Sequence, residues 1–147
     1  MPYCPTPPPT TARRRTQRRP VFSTEPAEVP AARGWIAHTL APADRIDDVV
    51  LAADELLTNA LQHAPRPRRA GDMVAMLAVE ETATAHVVQV WSRRSKATVP
   101  APRCPALEAE HGRGLALVAA VADDWGWAPA DGWVAVWARF ATGGGRR

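Results

Sequence analysis

The chain reads as one α/β (α+β) domain, a two-layer sandwich in which three helices cover one face of a mostly antiparallel mixed sheet. Three observations predict this. Apolar residues recur at three- and four-residue steps in two segments of the N-terminal half and again after residue 112. The extended runs come as neighbouring pairs, 73–79 with 85–91 and 125–127 with 133–141, as hairpins do. The nucleotide-binding signatures of doubly wound sheets do not occur: there is no P-loop, and Gly112-x-Gly114 is followed by Ala116-Leu117 where a dinucleotide fingerprint needs its third glycine.

Residues 1–19 are Pro-rich and then Arg-rich, bury little apolar surface and are expected to be a disordered tail. Val21-Phe22-Ser23 is expected as a short first strand, with Thr24 capping the first helix. Val29, Ala32, Ile36 and Leu40 predict that helix over about 26–40, with one buried stripe. After Ala41-Pro42-Ala43, a second helix is expected to run to His63, with Asp44, Asp47 and Asp48 at its dipole-favoured start. Its wide apolar face, from Ile46 through Leu56, Leu57 and Leu61, marks a central core helix, and Pro65 and Pro67 stop it. Strands are predicted over 73–79 and 85–91, with a turn near Glu80-Glu81-Thr82. Residues 93–111 hold Pro100, Pro102 and Pro105 and show no period, and a loop of that length is often functional. Residues 112–124 predict the third helix. A hairpin around Ala130-Asp131-Gly132 closes a domain of 20–141, and 142–147 is expected as a flexible tail.

Charge and cysteines narrow the classes. The 147 residues carry a formal net charge of +3, from 18 Lys+Arg and 15 Asp+Glu. Arg13, Arg14, Arg15, Arg18 and Arg19 all fall in residues 1–20, which hold no acid, so the body is mildly acidic and a basic nucleic-acid-binding domain is disfavoured. Cys4 and Cys104 form no disulfide framework. The N-terminus lacks the apolar core of a signal peptide, and the longest apolar run, about 114–122, is too short to span a bilayer. These features predict a cytoplasmic protein with no membrane partner. His38, His86, Cys104 and His111 match no standard zinc spacing and read as scattered single residues.

Two constellations carry chemistry. Glu55, Asn59 and His63 are spaced i, i+4, i+8 and lie along one stripe at the edge of the core helix. A carboxylate beside an amide suits general-base chemistry next to magnesium, which takes oxygen ligands and keeps several waters. Spacing alone favours a solvated face with i,i+4 hydrogen bonds. Further on, Gly112, Arg113, Gly114 and Leu115 open the third helix, where backbone N–H groups and the helix dipole favour an anion and Arg113 adds a phosphate partner. A plain helix-start turn has the same composition.

In this order the two motifs resemble the GHKL (histidine kinase-like) ATPase superfamily, and within it the stand-alone branch of anti-sigma-factor serine kinases. Glu55-Leu-Leu-Thr-Asn-Ala-Leu-Gln-His-Ala64 looks like that branch's N box. His111-Gly-Arg-Gly-Leu-Ala-Leu-Val118, followed by Asp124-Trp125-Gly126, looks like its second glycine box and the turn after it. Val136-Trp137-Ala138-Arg139-Phe140 looks like its last strand. The resemblance implies a Bergerat-type ATP-binding fold, Mg·ATP as cofactor, Glu55 as general base and Asn59 as magnesium ligand. It implies phosphate contacts from Gly112 to Leu115, and a lid at 93–111. It also implies a partner protein, a sigma factor or anti-anti-sigma-like protein, controlled by sequestration and by serine phosphorylation. Family members often dimerise. Two adenine-side positions depart from the family. Ser92 stands where an Asp reads the adenine amino group, and Ala135 where the last strand often has Thr. A lapsed binding module with weak or no ATP binding is therefore the alternative reading.

Overall fold

The structure is a computed structural model and describes residues 15–40, 44–93, 115–130 and 132–142. Strand β1 (Arg15–Val21) is followed by helices α1 (Glu28–Thr39) and α2 (Ile46–His63) and the hairpin β2 (Ala75–Glu81) and β3 (Ala85–Arg93). Residues 115–121 form a third helical segment, α3, and β4 (Asp124–Ala130) and β5 (Trp133–Ala141) close the chain. The five strands lie in the order β1-β2-β3-β5-β4, and every pairing is antiparallel, so the parallel component expected of a mixed sheet does not occur among the described residues.

Register assigns each side chain to a layer, since directly opposed residues share a face. Val21, Leu77, Val79, Val88, Val90, Val136, Ala138 and Phe140 point toward the helices and join Ile36, Val49, Leu56, Leu57 and Val118 in the core. Helix α2 lies over β3, and its apolar stripe is broad because it packs on the sheet below and on α1 beside it. Ala78, Val87, Ala135 and Trp137 are buried on the opposite face of the sheet and lie outside that core.

The first strand differs from expectation. It runs from Arg15 to Val21 and ends before Phe22, which is 51% exposed. Hydrophobic period could not reveal it. It is an edge strand that pairs with β2, and Arg15 stands opposite Glu81, an opposite-charge cross-strand pair. The expected tail at 15–19 is thus part of the sheet, while 1–14 lie outside the described residues. Thr24 does not cap α1. Ser23 Oγ accepts the Glu25 N–H at 3.0 Å, and the helix grows from a turn in which the Glu28 N–H reaches the Glu25 carbonyl. Pro30 sits in the first turn, where its missing N–H costs nothing. The hairpin turn falls at 82–84, two residues later than expected, where the Thr82 hydroxyl accepts the Ala85 N–H at 2.9 Å. Gly132, with φ +81°, supplies the left-handed residue in the closing hairpin.

Candidate functional site

The two edges of α2 face different neighbours. On one edge Asp54 accepts a hydrogen bond from Arg33 of α1 at 2.7 Å. On the other, Asp48 is 3.4 Å from Arg45, whose guanidinium also donates to the Val121 carbonyl at 2.6 Å and to Asp123 at 2.5 Å. Glu55 is seven residues beyond Asp48 and so lies on the same edge, followed by Asn59 and His63. The expected stripe therefore runs along the side of α2 turned away from α1 and toward the chain around α3.

Its extent along α2 follows from the helix rise. Arg45, at the start of α2, lies 5.3 Å over the Phe140 ring, and Phe140 pairs with His86 near the start of β3. Asn59 is about 21 Å further along the helix, toward its C-terminal end. Ser92 is on the helix-facing side of β3, 1% exposed, opposite Ala75 on one neighbour and Val134 on the other. Asn59 and Ser92 are two of four buried polar or charged residues among those described.

The polar atoms of this stripe are unequal. Glu55 is half-buried at the rim. Asn59 is buried, and its side-chain carbonyl oxygen Oδ1 has no hydrogen-bond partner among the described residues. A buried acceptor without a donor costs about 1–3 kcal/mol, so the arrangement is one that a cation or donor would complete. No three His, Cys, Asp or Glu side chains cluster as a metal cage among the described residues. A magnesium ion at Asn59 would thus draw its remaining oxygens from phosphate and water, a donor set that suits it.

Leu115 is buried at the start of α3 and anchors that helix in the core. Gly112, Arg113 and Gly114, and all but the first residue of the expected lid at 93–111, lie outside the described residues. Ala135 requires a correction. It pairs with Trp91 on the face of the sheet away from the helices, so it cannot line a site beneath α2. The β5 residue facing the site beside Ser92 is Val134.

Sequence reasoning did not single out Arg45. It joins the N-terminus of α2 to the residues after α3, and so sets the spacing between the Glu55–Asn59 stripe and the helix that follows the glycine motif. Its signal was present in Asp48, three residues on, but Asp123 is 78 residues away. Nor was the cavity on the far edge of α2 foreseen. It holds about 460 Å³ between α1 and α2, with Val29, Pro30, Thr58 and Leu61 in its wall and Arg33 and Asp54 at its rim. Glu55 and Asn59 do not line it.

A family model described as a histidine kinase-like ATPase domain matches residues 22–139, and the chain belongs to that family. No curated protein sequence matches it significantly. Among solved structures it resembles the RsbU and RsbW domains of Rv1364c from Mycobacterium tuberculosis, with a TM-score of 0.60 at 16% identity. The match covers 86% of this chain and 32% of that one, so the chain corresponds to about a third of its structural relative. The fold is that of a GHKL-type ATPase domain. Among the described residues no helix is long and apolar enough to cross a membrane.

Proposed function

We propose that this domain binds Mg·ATP between α2 and α3 and controls a partner protein, a sigma factor or an anti-anti-sigma-like protein, by holding it and by phosphorylating one of its serines. The observation that carries the reading is the buried, unpartnered Oδ1 of Asn59, one helical turn from the half-buried Glu55. In this reading the Glu55 carboxylate accepts the proton of the partner's serine hydroxyl. The serine oxygen bonds to the γ-phosphorus as the bond to the β,γ-bridging oxygen breaks and ADP leaves. Asn59 would hold magnesium, which when bound would neutralise phosphate charge. Residues 112–115 hold the phosphates through backbone N–H groups, and Arg113 adds charge-assisted bonds.

The test is thermal unfolding with and without saturating Mg·ATP, followed by tryptophan emission. Ligand at 100 times Kd adds about 2.7 kcal/mol and raises the midpoint by several degrees. The shift is expected to need magnesium and to survive in Glu55→Ala, which loses phosphotransfer. Equal phosphotransfer by wild type and Glu55→Ala would remove Glu55 from the role of base.

A second reading, a binding module whose nucleotide site has lapsed, rests on Ser92. It is a neutral hydroxyl where the family places a carboxylate, and Val134 beside it offers no hydrogen bond. Losing a charge-assisted contact costs about 1.5–3 kcal/mol, or roughly tenfold to more than a hundredfold in affinity. Absence of any shift at millimolar Mg·ATP in wild type, with a shift restored in Ser92→Asp, supports this reading. Ala135→Thr, on the other face, is expected to restore nothing.

A further inference from the structure

The outer edge of β1 is unpaired and positively charged. β1 ends the strand order β1-β2-β3-β5-β4, so among the described residues no strand lies on its far side. In an antiparallel ladder the backbone groups of successive residues turn alternately to the two sides of the strand. The Val21 carbonyl turns to β2, where it accepts the Val74 N–H at 2.8 Å, and by alternation Arg19, Gln17 and Arg15 turn the same way. Thr16, Arg18 and Pro20 therefore point their backbone groups outward. Pro20, which has no N–H to lose, stands on the side where a strand tolerates proline. The outer edge thus offers the N–H groups of Thr16 and Arg18 and the carbonyls of all three residues. Its side chains are cationic. Arg15 stands opposite Glu81, but Arg18 and Arg19 stand opposite Ala78 and Leu77. Neither makes an ion pair among the described residues, and the Nε of Arg19 is buried with no hydrogen-bond partner there.

We propose that this edge takes an acidic, extended segment of a partner protein as a further antiparallel strand beside β1. In such strand addition the main-chain hydrogen bonds supply affinity and the side chains supply specificity. The incoming residues opposite Thr16 and Arg18 exchange both backbone bonds with them, and the Pro20 carbonyl accepts one more. Directly opposed residues share a face, so the incoming strand meets Arg19, Arg18 and Arg15 with carboxylates spaced Glu-Glu-x-x-Glu. The acid opposite Arg18 lies on the face away from the helices, and those opposite Arg19 and Arg15 lie on the helix side. Charge also selects against a second copy of this chain. Two β1 strands paired about Arg18 would set arginine against arginine, and like charges directly opposed are destabilising. Arginines and a proline guard an edge against its own kind, while the same arginines attract a carboxylate-bearing strand. Strand addition here requires no nucleotide, since the candidate nucleotide site is carried by α2 and β3 and not by β1.

The probe is the end-capped peptide Thr-Glu-Glu-Val-Thr-Glu-Thr, added to the isotope-labelled full chain, with amide hydrogen exchange read by NMR. The expected result is saturable binding that slows exchange at the Thr16 and Arg18 N–H groups and leaves Gln17 and Arg19, which already face β2, little changed. A peptide with Lys in place of each Glu is expected to bind about tenfold more weakly or worse, and Arg18→Glu to weaken the acidic peptide about fivefold. Arg18 is exposed, so that variant keeps the fold. Methylating the peptide nitrogen opposite Arg18 retains every charge and is expected to abolish binding. No binding at millimolar peptide overturns the proposal, as does equal binding of the Lys peptide. Equal binding of the methylated peptide reduces the contact to charge attraction and overturns strand addition. Slow exchange at Thr16 and Arg18 without peptide also overturns it: where the slowing depends on chain concentration the occupant is a second copy, and where it does not the edge is closed within the chain.

Discussion

Replacing Asn59 by Leu separates the cost of the site from its use. The two side chains are close in size. Asn59 is 6% exposed and sits among Leu56, Ala60 and Ala52 on a helix that is otherwise apolar on this side. In the nucleotide-free protein, Asn59→Leu removes an acceptor that carries a penalty of about 1–3 kcal/mol and replaces it with apolar surface. The variant is therefore expected to be more stable than wild type by about 1–2 kcal/mol, with a midpoint raised by several degrees. With saturating Mg·ATP the order reverses, because wild type gains about 2.7 kcal/mol at 100 times Kd and the variant gains almost nothing. Parallel melts with and without Mg·ATP measure both effects. A nucleotide-free variant that melts below wild type refutes the reasoning, since Oδ1 must then be satisfied within the chain. A variant that keeps the full magnesium-dependent shift removes Asn59 from the nucleotide site.

Other substitutions test the frame that holds the site. Gly126→Ala would set a Cβ 2.8 Å from Cζ2 and 3.0 Å from Cε2 of Trp137, which is too buried to move aside. A loss of about 1–3 kcal/mol with altered near-ultraviolet circular dichroism is expected. Arg45→Ala removes bonds to Val121, Asp123 and Asp48 and the contact with Phe140, and is expected to cost on the order of 2–3 kcal/mol in urea unfolding. Mg·ATP affinity should fall with it, because α2 and α3 lose their tie; unchanged stability and affinity would sink that role. The pKa of His86 lies below 6.5, because burial penalises its charged form more than the neighbouring Glu81 favours it. A depressed histidine pKa means the unfolded chain binds the proton first. Its contribution is intact above pH 6.5 and is lost as pH falls toward the folded-state value. His86→Gln should show a smaller drop in melting temperature between pH 7.5 and pH 5 than wild type, and equal drops would contradict the assignment.

Which parts of this domain were legible in sequence depended on where each signal resides. Both long helices and the two C-terminal strands announce themselves because their burial is periodic and local. The end of β5 at Ala141 and the end of α2 at His63 coincide with the ranges read from spacing. Strand β1 did not, because an Arg-rich edge strand takes its stability from β2, some sixty residues on, and carries one fully buried residue, Val21. Arg45 was silent for a similar reason, since three of its four contacts are made by residues 76 or more positions away.

The most consequential discrepancy concerns parity. In a strand, a shift of one residue carries a side chain from one face of the sheet to the other. Motif spacing places a residue to within about one position, which serves for a helix but leaves a strand residue's face undetermined. Ser92 and Val134 are opposed in the ladder and both face α2, whereas Ala135 faces Trp91 on the reverse side. In the proposed reading, and among the described residues, the base end of the candidate site is one hydroxyl between Ala75 and Val134, while its phosphate end holds an unpartnered amide oxygen and a carboxylate. On that reading, recognition of a nucleotide is expected to rest chiefly on phosphate and magnesium. Affinity should then depend on the number of phosphates more steeply than on the identity of the base.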